Sequence, residues 1–173
     1  MIFINDISNH ELHKKTILQH IDEFKSDNED TKKPVDLYGN AHSDYHIGET
    51  KRDYMTYFFD FVEPIMVKVG KDMRLDKFDG FGWSVQLAWF QQYYKGGTHP
   101  WHNHPECQFT NIYFVEMPNE EDKTEIIGLN DKLIQYDAKE GQIITFPSFL
   151  QHRSNPATSD RKTIISFNTS YSV

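Results

Sequence analysis

The second half of the chain is a succession of short segments rich in aromatic and β-branched residues. From about residue 81 onward, Gly, Pro, Asn or charged residues separate each segment from the next. Segments of this length and composition between turn residues are typical of antiparallel β-strands. We therefore predict strands over residues 82–94, 109–118, 123–130, 132–137, 141–148 and 162–170.

The N-terminal third predicts helices instead. In residues 8–24 the apolar side chains roughly follow helical periodicity, and Ser8 with Glu11 has the spacing of a capping box. Residues 52–73 are a second helical candidate, in which we expect Pro64 to start, kink or split the helix. Two helices followed by six or more strands predict an α+β, mainly β fold. Its core is a double-stranded β-helix (jelly roll, cupin-like) with N-terminal supporting helices.

A chain of 173 residues fits one compact domain, and no internal repeat or low-complexity segment divides it. We expect a single domain over residues 1–173. Residues 1–80 form helical support and loops, and residues 81–173 form the β-helix core. We expect the helices and the loop 25–55 to shape the mouth of a pocket.

Charge and cysteine content limit the partners and the compartment. With 18 basic and 26 acidic side chains, the net charge of −8 disfavours nucleic acid as a partner. The single cysteine, Cys107, excludes an intramolecular disulfide and suits a reducing compartment. The sequence has no signal-peptide pattern and no apolar run of membrane-spanning length. We expect a cytoplasmic protein that acts on a small molecule or peptide without binding a membrane; its oligomeric state is not readable from the sequence.

The stretch "HPWHNHPE" (99–106) concentrates imidazole groups, the commonest nitrogen ligands of first-row metals. On a strand, His102 and His104 point to the same face, because residues two apart share a side. Glu106 has the same relation to His104, although Pro105 favours a strand end there. Two proximal ligand pairs therefore remain open: His102 with His104, and His104 with Glu106.

A further ligand must come from a distant strand, because neighbouring residues alone do not close a metal site. His152 follows the predicted strand 141–148 and is the natural candidate. We predict a metal site made of His102, His104 and His152. A two-histidine site in which His104 only lines the pocket, and a site that uses Glu106, are the alternatives.

These residues resemble a known family. "WHNHP", the strand "FTNIYFVEMP" and the stretch "GQIITFPSFLQHRSNPATSDRKTIISFN" are similar to the iron(II)- and 2-oxoglutarate-dependent oxygenases. The likeness is strongest to small prolyl-hydroxylase-like members with a short HxHP motif, and it covers about residues 82–171. In that family an Arg or Lys nine to eleven residues after the distal His binds the far carboxylate of the cosubstrate.

The resemblance implies Fe(II) as cofactor, 2-oxoglutarate as cosubstrate, and hydroxylation of a substrate with release of succinate and CO2. It places Arg161, nine residues after His152, on the cosubstrate carboxylate, where a guanidinium can bind in bidentate fashion. Thr163 adds a hydroxyl, Tyr94 borders the cosubstrate, and Asn168 touches iron-bound water or substrate. No catalytic residue beyond the metal ligands is implied.

The chain departs from the family at one position. Most members have an acid two residues after the first histidine, which completes a 2-His-1-carboxylate site, whereas His104 stands there in this chain. If His102 and His104 face inward, Thr110, Ile112 and Phe114 do so as well on an unbulged continuation.

Two other classes compete with the oxygenase. A cupin that does not use 2-oxoglutarate fits "GGTHPWHNH" and "GQIITFPSFLQH", although Phe149 replaces the usual Gly and Gln108 or Phe109 stands where cupins commonly have Glu. A metal-free β-sandwich that binds a ligand or a partner is the third reading. It predicts that the purified protein contains no stoichiometric metal.

Overall fold

Nine β-strands and two α-helices form in the part of the chain that the computed structural model describes, residues 1–34, 38–48 and 50–173. Short 3-10 turns occur at Glu29–Lys32, Leu75–Lys77 and Glu120–Asp122. The main elements in chain order are β1 (Phe3–Asp6), α1 (His10–Asp27), β2 (Ala41–Ser43), α2 (Asp53–Asp72), β3 (Gly82–Tyr94), β4 (His99–His102), β5 (Phe109–Glu116), β6 (Glu125–Ile126), β7 (Gln142–Pro147), β8 (His152–Ser154) and β9 (Arg161–Ser172).

The strands form two antiparallel sheets. The large sheet has the order β1-β7-β5-β9-β3-β2, and the small sheet has the order β4-β8-β6. From β4 to β9, consecutive strands alternate between the small sheet and the large sheet, as in a jelly roll. The predicted fold, a double-stranded β-helix supported by helices, is confirmed.

The large sheet separates two apolar cores. The outer core packs α1 and α2 on one face of the sheet and includes Ile165 and Phe167 of β9. The inner core lies between the sheets and includes Ile164 of β9 with Ile112 and Phe114 of β5. Neighbouring residues of one strand thus enter different cores, because side chains alternate between the two faces. The prediction that Ile112 and Phe114 point inward is confirmed.

Helix α1 does not begin with the predicted capping box. Asn9 occupies the N-cap in the left-handed region (φ 56°) and makes no side-chain cap hydrogen bond. The Ile7 amide instead donates to the Gly141 carbonyl at 2.9 Å, which extends the pairing of β1 up to the turn. This sheet contact leaves only Ser8 and Asn9 for the turn into the helix.

Helix α2 continues through Pro64 rather than breaking there. Pro64 and Asp60, whose carbonyl loses its helical partner, are both exposed, so water can hydrogen-bond that carbonyl. The opposite face holds the helix against the sheet through buried side chains on both sides of the proline: Tyr54, Phe58, Val62, Met66 and Val69. Among the described residues, neither helix has the combination of length and apolar character needed to span a bilayer.

The strand predictions are wrong in two regions. The predicted strands 123–130 and 132–137 reduce to β6 and a single bridge between Ile127 and Leu133, because a turn at 128–132 folds the chain back on itself. Residues 1–80 are not only helices and loops, since β1 and β2 form the two edges of the large sheet. Both strands are three or four residues long, too short for an alternation pattern.

Candidate metal centre and its cavity

Strand pairing brings two of the predicted ligands together. His102 at the end of β4 lies directly opposite His152 at the start of β8, and their ring centroids are 4.2 Å apart. His104 lies beyond the end of β4, where its amide donates to the Ser148 carbonyl at 3.0 Å. Its ring centroid is 5.1 Å from that of His102 and 5.0 Å from that of His152. A loop rather than strand alternation thus places the third imidazole.

All three rings are oriented by hydrogen bonds through Nδ1. His102 donates to the Pro100 carbonyl at 2.8 Å, and His152 to the Leu150 carbonyl at 3.2 Å. His104 donates to the side-chain oxygen of Asn168 at 2.6 Å. Such contacts set the tautomer and leave Nε2 with a free lone pair. One ligand nitrogen from each ring lies within 4.8 Å of the others, so the cluster fits a metal ion.

Burial keeps these imidazoles neutral. It lowers the pKa of His102 to about 4, lowers that of His104, and lowers that of His152 well below its usual value, where the neighbouring rings add to the effect. A neutral imidazole is the form that binds a metal. Within the described residues the cluster contains no carboxylate. Glu106 is exposed, with φ 67°, at the rim of the cavity.

His99 is a fourth imidazole that the sequence reading left out of the site. Its ring stacks on His102 with centroids 3.8 Å apart and contacts Tyr38 at 4.1 Å. Burial and the neighbouring His102 lower its pKa to about 3. His99 lies three positions before His102 on a strand, which strict alternation puts on the other face. An irregularity in the β4–β8 register between these residues brings both rings to the cavity.

The structure does not bring Arg161, Thr163 and Tyr94 to the histidines. The Arg161 guanidinium donates to both carboxylate oxygens of Glu116, at 2.6 and 3.1 Å, and Thr163 donates to the same carboxylate at 3.1 Å. Tyr94 pairs with Arg161 across the sheet and accepts a hydrogen bond from Lys25 of α1. All three lie on the helix-covered face, so the assignment of Arg161, Thr163 and Tyr94 to a cosubstrate in the cavity is corrected here.

Lys162 occupies the inward position beside Arg161. It is fully buried, and its Nζ donates to the Asp122 carbonyl at 2.6 Å and to Ser154 Oγ at 2.9 Å. Nζ also lies 4.7 Å from the centroid of the Tyr93 ring. Burial lowers the pKa of Lys162 to about 7, although Asp122 partly opposes this. No carboxylate of the described residues lies at ion-pair distance from this ammonium.

The alternation of side chains along β9 indicates from the sequence that Lys162, rather than Arg161, faces the interior. Asn168, which the resemblance places at iron-bound water or substrate, is an even number of residues from Lys162 and an odd number from Arg161. The structure records no irregularity along β9 where it pairs with β3 between Arg161 and Asn168. On such a strand, Asn168 and Lys162 share a face that excludes Arg161.

The histidines open into a cavity of about 370 Å³ between the strands and the segment that precedes α2. His102, His104, Asn168, Tyr38 and Tyr45 contribute to its lining. The loop 25–55 therefore shapes the mouth as expected through its described residues, whereas 35–37 and 49 lie outside the described part. The helices pack on the far face of the large sheet and do not reach the mouth.

A second, narrower pocket of about 20 Å³ lies deeper between the sheets. His102 and His152 contribute to one part of its lining, and Tyr93 and Ser154, the residues that contact Lys162, contribute to another. The deeper pocket thus extends from the candidate metal centre to side chains that contact the buried ammonium.

Compared by sequence, the chain matches no protein-family model and no curated protein. The solved structures that share its fold include the following three. A prolyl hydroxylase from Trichoplax adhaerens, in complex with a hypoxia inducible factor peptide fragment, is 12% identical with a TM-score of 0.69, over 96% of this chain and 82% of that one. A prolyl-4-hydroxylase from Pseudomonas putida is 9% identical with a TM-score of 0.64, over 98% and 92%. A full-length protein from Neurospora crassa, in complex with α-ketoglutarate, is 12% identical with a TM-score of 0.63, over 98% and 74%.

These identities are low, and what they show is a shared fold. The chain has the double-stranded β-helix fold of the prolyl hydroxylases, and the cluster of His102, His104 and His152 lies inside it. The resemblance noted from the sequence is therefore confirmed at the level of the fold.

Proposed function

We propose that this protein is an Fe(II)- and 2-oxoglutarate-dependent dioxygenase that hydroxylates a small-molecule or peptide substrate and releases succinate and CO2. The observation that carries this proposal is the convergence of three imidazole nitrogens at a cavity. A deeper pocket beside them is lined by Tyr93 and Ser154, which contact the buried ammonium of Lys162. The shared fold supports it, since a prolyl hydroxylase with a peptide and a protein with α-ketoglutarate have the same architecture.

His102, His104 and His152 are the proposed metal ligands. Their Nδ1 contacts to Pro100, Asn168 and Leu150 hold the rings in place before any metal arrives. Asn168 then acts by orienting His104, in addition to lining the cavity where substrate enters. Fe(II), when bound, supplies oxidative decarboxylation of 2-oxoglutarate and oxidation of a substrate C–H bond.

Lys162 is the proposed partner of the far carboxylate of 2-oxoglutarate. An ammonium has three N–H donors, and the protein occupies two of them. The third can donate to a carboxylate, which also neutralises a charge whose burial is costly. Arg161 does not suit this role, because it lies on the helix-covered face of the sheet and Glu116 already binds its guanidinium in bidentate fashion.

A metal-binding cupin-type protein that does not use 2-oxoglutarate is the second candidate. The observation that favours it is His104, because three neutral ligands differ from the 2-His-1-carboxylate set of non-heme iron oxygenases. A three-histidine set also suits zinc. Lys162 favours the oxygenase, since a cupin without an anionic cosubstrate gives the buried ammonium no ligand.

Uncoupled turnover tests the proposal without knowledge of the substrate. Metal-free protein is loaded with Fe(II) under anaerobic conditions, 2-oxoglutarate and air are added, and succinate is measured. We expect succinate from the wild type and none above background from His152→Ala. His20→Ala, which changes a histidine of α1 on the far side of the sheet, should retain the wild-type rate.

The outcomes separate the candidates. Stoichiometric metal without succinate would favour the cupin-type protein. No metal binding by the wild type, measured by calorimetry with Fe(II), Mn(II) or Zn(II), would favour the metal-free β-sandwich.

A further inference from the structure

Gln91 has a buried side-chain donor without an acceptor. The residue lies in the middle of β3, where pairing with Ser43 on one side and Ile164 on the other fixes its backbone. Only 2% of its surface is exposed, and its Nε2 has no hydrogen-bond partner in the described part of the chain. A buried donor without a partner is destabilising, and an acceptor atom of a water or of a bound ligand that reaches Nε2 would remove that cost.

Gln91 is placed where a ligand can supply that acceptor. Its side chain contributes to the walls of both the outer cavity and the deeper pocket, as do Trp89, His99 and His102. A group that enters the outer cavity toward His102 therefore passes Gln91.

Aromatic rings form much of the outer cavity. Tyr45 and Trp89 meet edge to face with centroids 5.1 Å apart, and Tyr38 packs against His99. Flat, apolar walls of this kind bind a flat, apolar group with little loss of side-chain freedom.

The outer cavity has no cationic side chain among its described lining residues. Its charged lining residue is Glu106, whose carboxylate is exposed at the rim. Arg153 lines only the deeper pocket, where Glu125 accepts its Nε–H at 2.8 Å and Trp101 stacks on its guanidinium. A carboxylate or phosphate on the substrate would therefore meet no counter-charge in the outer cavity apart from a bound metal.

We propose that the outer cavity binds a flat, apolar substrate group that carries an uncharged carbonyl oxygen, and that Gln91 Nε2 donates a hydrogen bond to this oxygen. That the bound group is the substrate of a hydroxylation rests on the proposed function, whereas its binding rests on the cavity alone. Gln91 is thus a specificity-determining residue that selects an amide or ketone over an acid.

A matched set of fluorinated rings tests the proposal by fluorine NMR. The probes are para-fluorobenzamide, para-fluorobenzoate, para-fluorobenzylammonium and fluorobenzene, titrated into the full chain in the metal-free form and with Zn(II), which is redox-inert. We expect the benzamide to bind tightest in the metal-free form. The benzoate should bind at least about fivefold more weakly in the metal-free form, because no cation faces it there.

Two variants of the same residue type assign the effect to Gln91. Gln91→Leu should weaken benzamide binding about fivefold to tenfold and leave fluorobenzene binding unchanged. Gln86→Leu is the control, because Gln86 lines the same cavity but is exposed and donates to Ser84 Oγ at 3.0 Å. It should leave benzamide binding unchanged.

Thermal unfolding distinguishes a binding role from a structural one. Gln91→Leu removes an unpaired buried donor, so the midpoint of the metal-free protein should stay the same or rise. A lower midpoint, unchanged benzamide binding in Gln91→Leu, or tighter binding of benzoate or benzylammonium in the metal-free form would overturn the proposal. Binding of benzamide by a protein that makes no succinate would leave this site intact while rejecting the proposed reaction.

Discussion

Lys162 is a fully buried ammonium with two hydrogen-bond acceptors and no carboxylate partner among the described residues. Placing a charge in such a site costs free energy, which is why its pKa falls to about 7. Its neighbour Arg161 has the opposite situation, with a bidentate carboxylate partner and access to solvent. Two adjacent basic residues thus differ in whether they are ready to bind an added anion.

We predict that Lys162→Met strongly weakens 2-oxoglutarate binding, whereas Arg161→Met retains it. Both variants should bind Zn(II) with wild-type affinity, because neither residue touches the histidine cluster. Calorimetric titration of the Zn(II)-loaded proteins with 2-oxoglutarate measures this. Loss of binding in Arg161→Met with retention in Lys162→Met would restore the sequence-based assignment of Arg161.

The affinity for 2-oxoglutarate should decrease as the pH rises above about 7. The charged groups and rings that face Lys162 are Asp122, Tyr93 and His99. Burial raises the pKa of Tyr93 and lowers that of His99 to about 3, so both stay neutral from pH 6.5 to 8.5. Burial alone would raise the pKa of Asp122, but hydrogen bonds from Ser159 and Thr158 outweigh this and keep it charged.

Of these four groups, Lys162 alone changes charge in that range, and only its protonated form attracts a carboxylate. Dissociation constants measured on the Zn(II)-loaded protein at pH 6.5, 7.5 and 8.5 should therefore increase, by at most about tenfold per pH unit. The weak residual binding of Lys162→Met should not show this trend. An equal trend in that variant would assign the pH dependence to another group.

At the scale of elements, the segment between β2 and α2 is attached to the large sheet through Asp44. This carboxylate is fully buried, accepts from the Phe90 amide at 2.9 Å and is hydrogen-bonded by the Tyr54 hydroxyl. The Arg52 Nε lies 2.9 Å from Asp44 Oδ2 as an ion pair. Tyr45, which lines the cavity, follows directly in the chain, so this network also positions the cavity wall.

We predict that Asp44→Asn lowers the free energy of unfolding by roughly 2 to 3 kcal/mol. The charge of Arg52 loses its buried partner, and the cost is lower than for a fully buried pair because Arg52 reaches solvent. Urea unfolding measures the change. Asp30→Asn is the control, because the Asp30–Lys33 pair is exposed, and its unfolding curve should be unchanged. Equal curves for wild type and Asp44→Asn would show that the network does not hold the segment.

At the scale of the whole molecule, the three histidines belong to the small sheet and to the loop between β4 and β5. The small sheet is built from strands of two to four residues, so it has few backbone hydrogen bonds of its own. A metal bound by β4, β8 and that loop would link parts of the chain that short pairings hold only weakly.

We therefore predict that Zn(II) raises the unfolding temperature of the wild type and leaves that of His152→Ala nearly unchanged. A metal present at about a thousand times its dissociation constant stabilises the folded state by about 4 kcal/mol. Differential scanning calorimetry measures the shift. An equal shift in both proteins would place the bound metal outside the proposed centre.

Much of the fold could be predicted because its signals are local. The aromatic and β-branched composition predicted β3, β5, β7 and β9, and helical periodicity predicted α1 and α2 to within a few residues. The edge strands β1 and β2 were missed, since three or four residues carry too little pattern. Pro64 was given too much weight, because packing on the opposite face of α2 outweighs the loss of one solvent-facing hydrogen bond.

The sequence by itself determined the chemistry of this protein: which side chains can bind a metal, and that a basic residue follows the last of them at a suitable distance. Residue type carries that information directly. Only the tertiary structure decided the geometry, namely that His99 joins the cluster, that Glu106 stays outside, and that Glu116 binds the guanidinium of Arg161. The physical reason is that the side of a sheet on which a residue lies depends on register, bulges and loop contacts with distant strands, none of which is written in neighbouring residues.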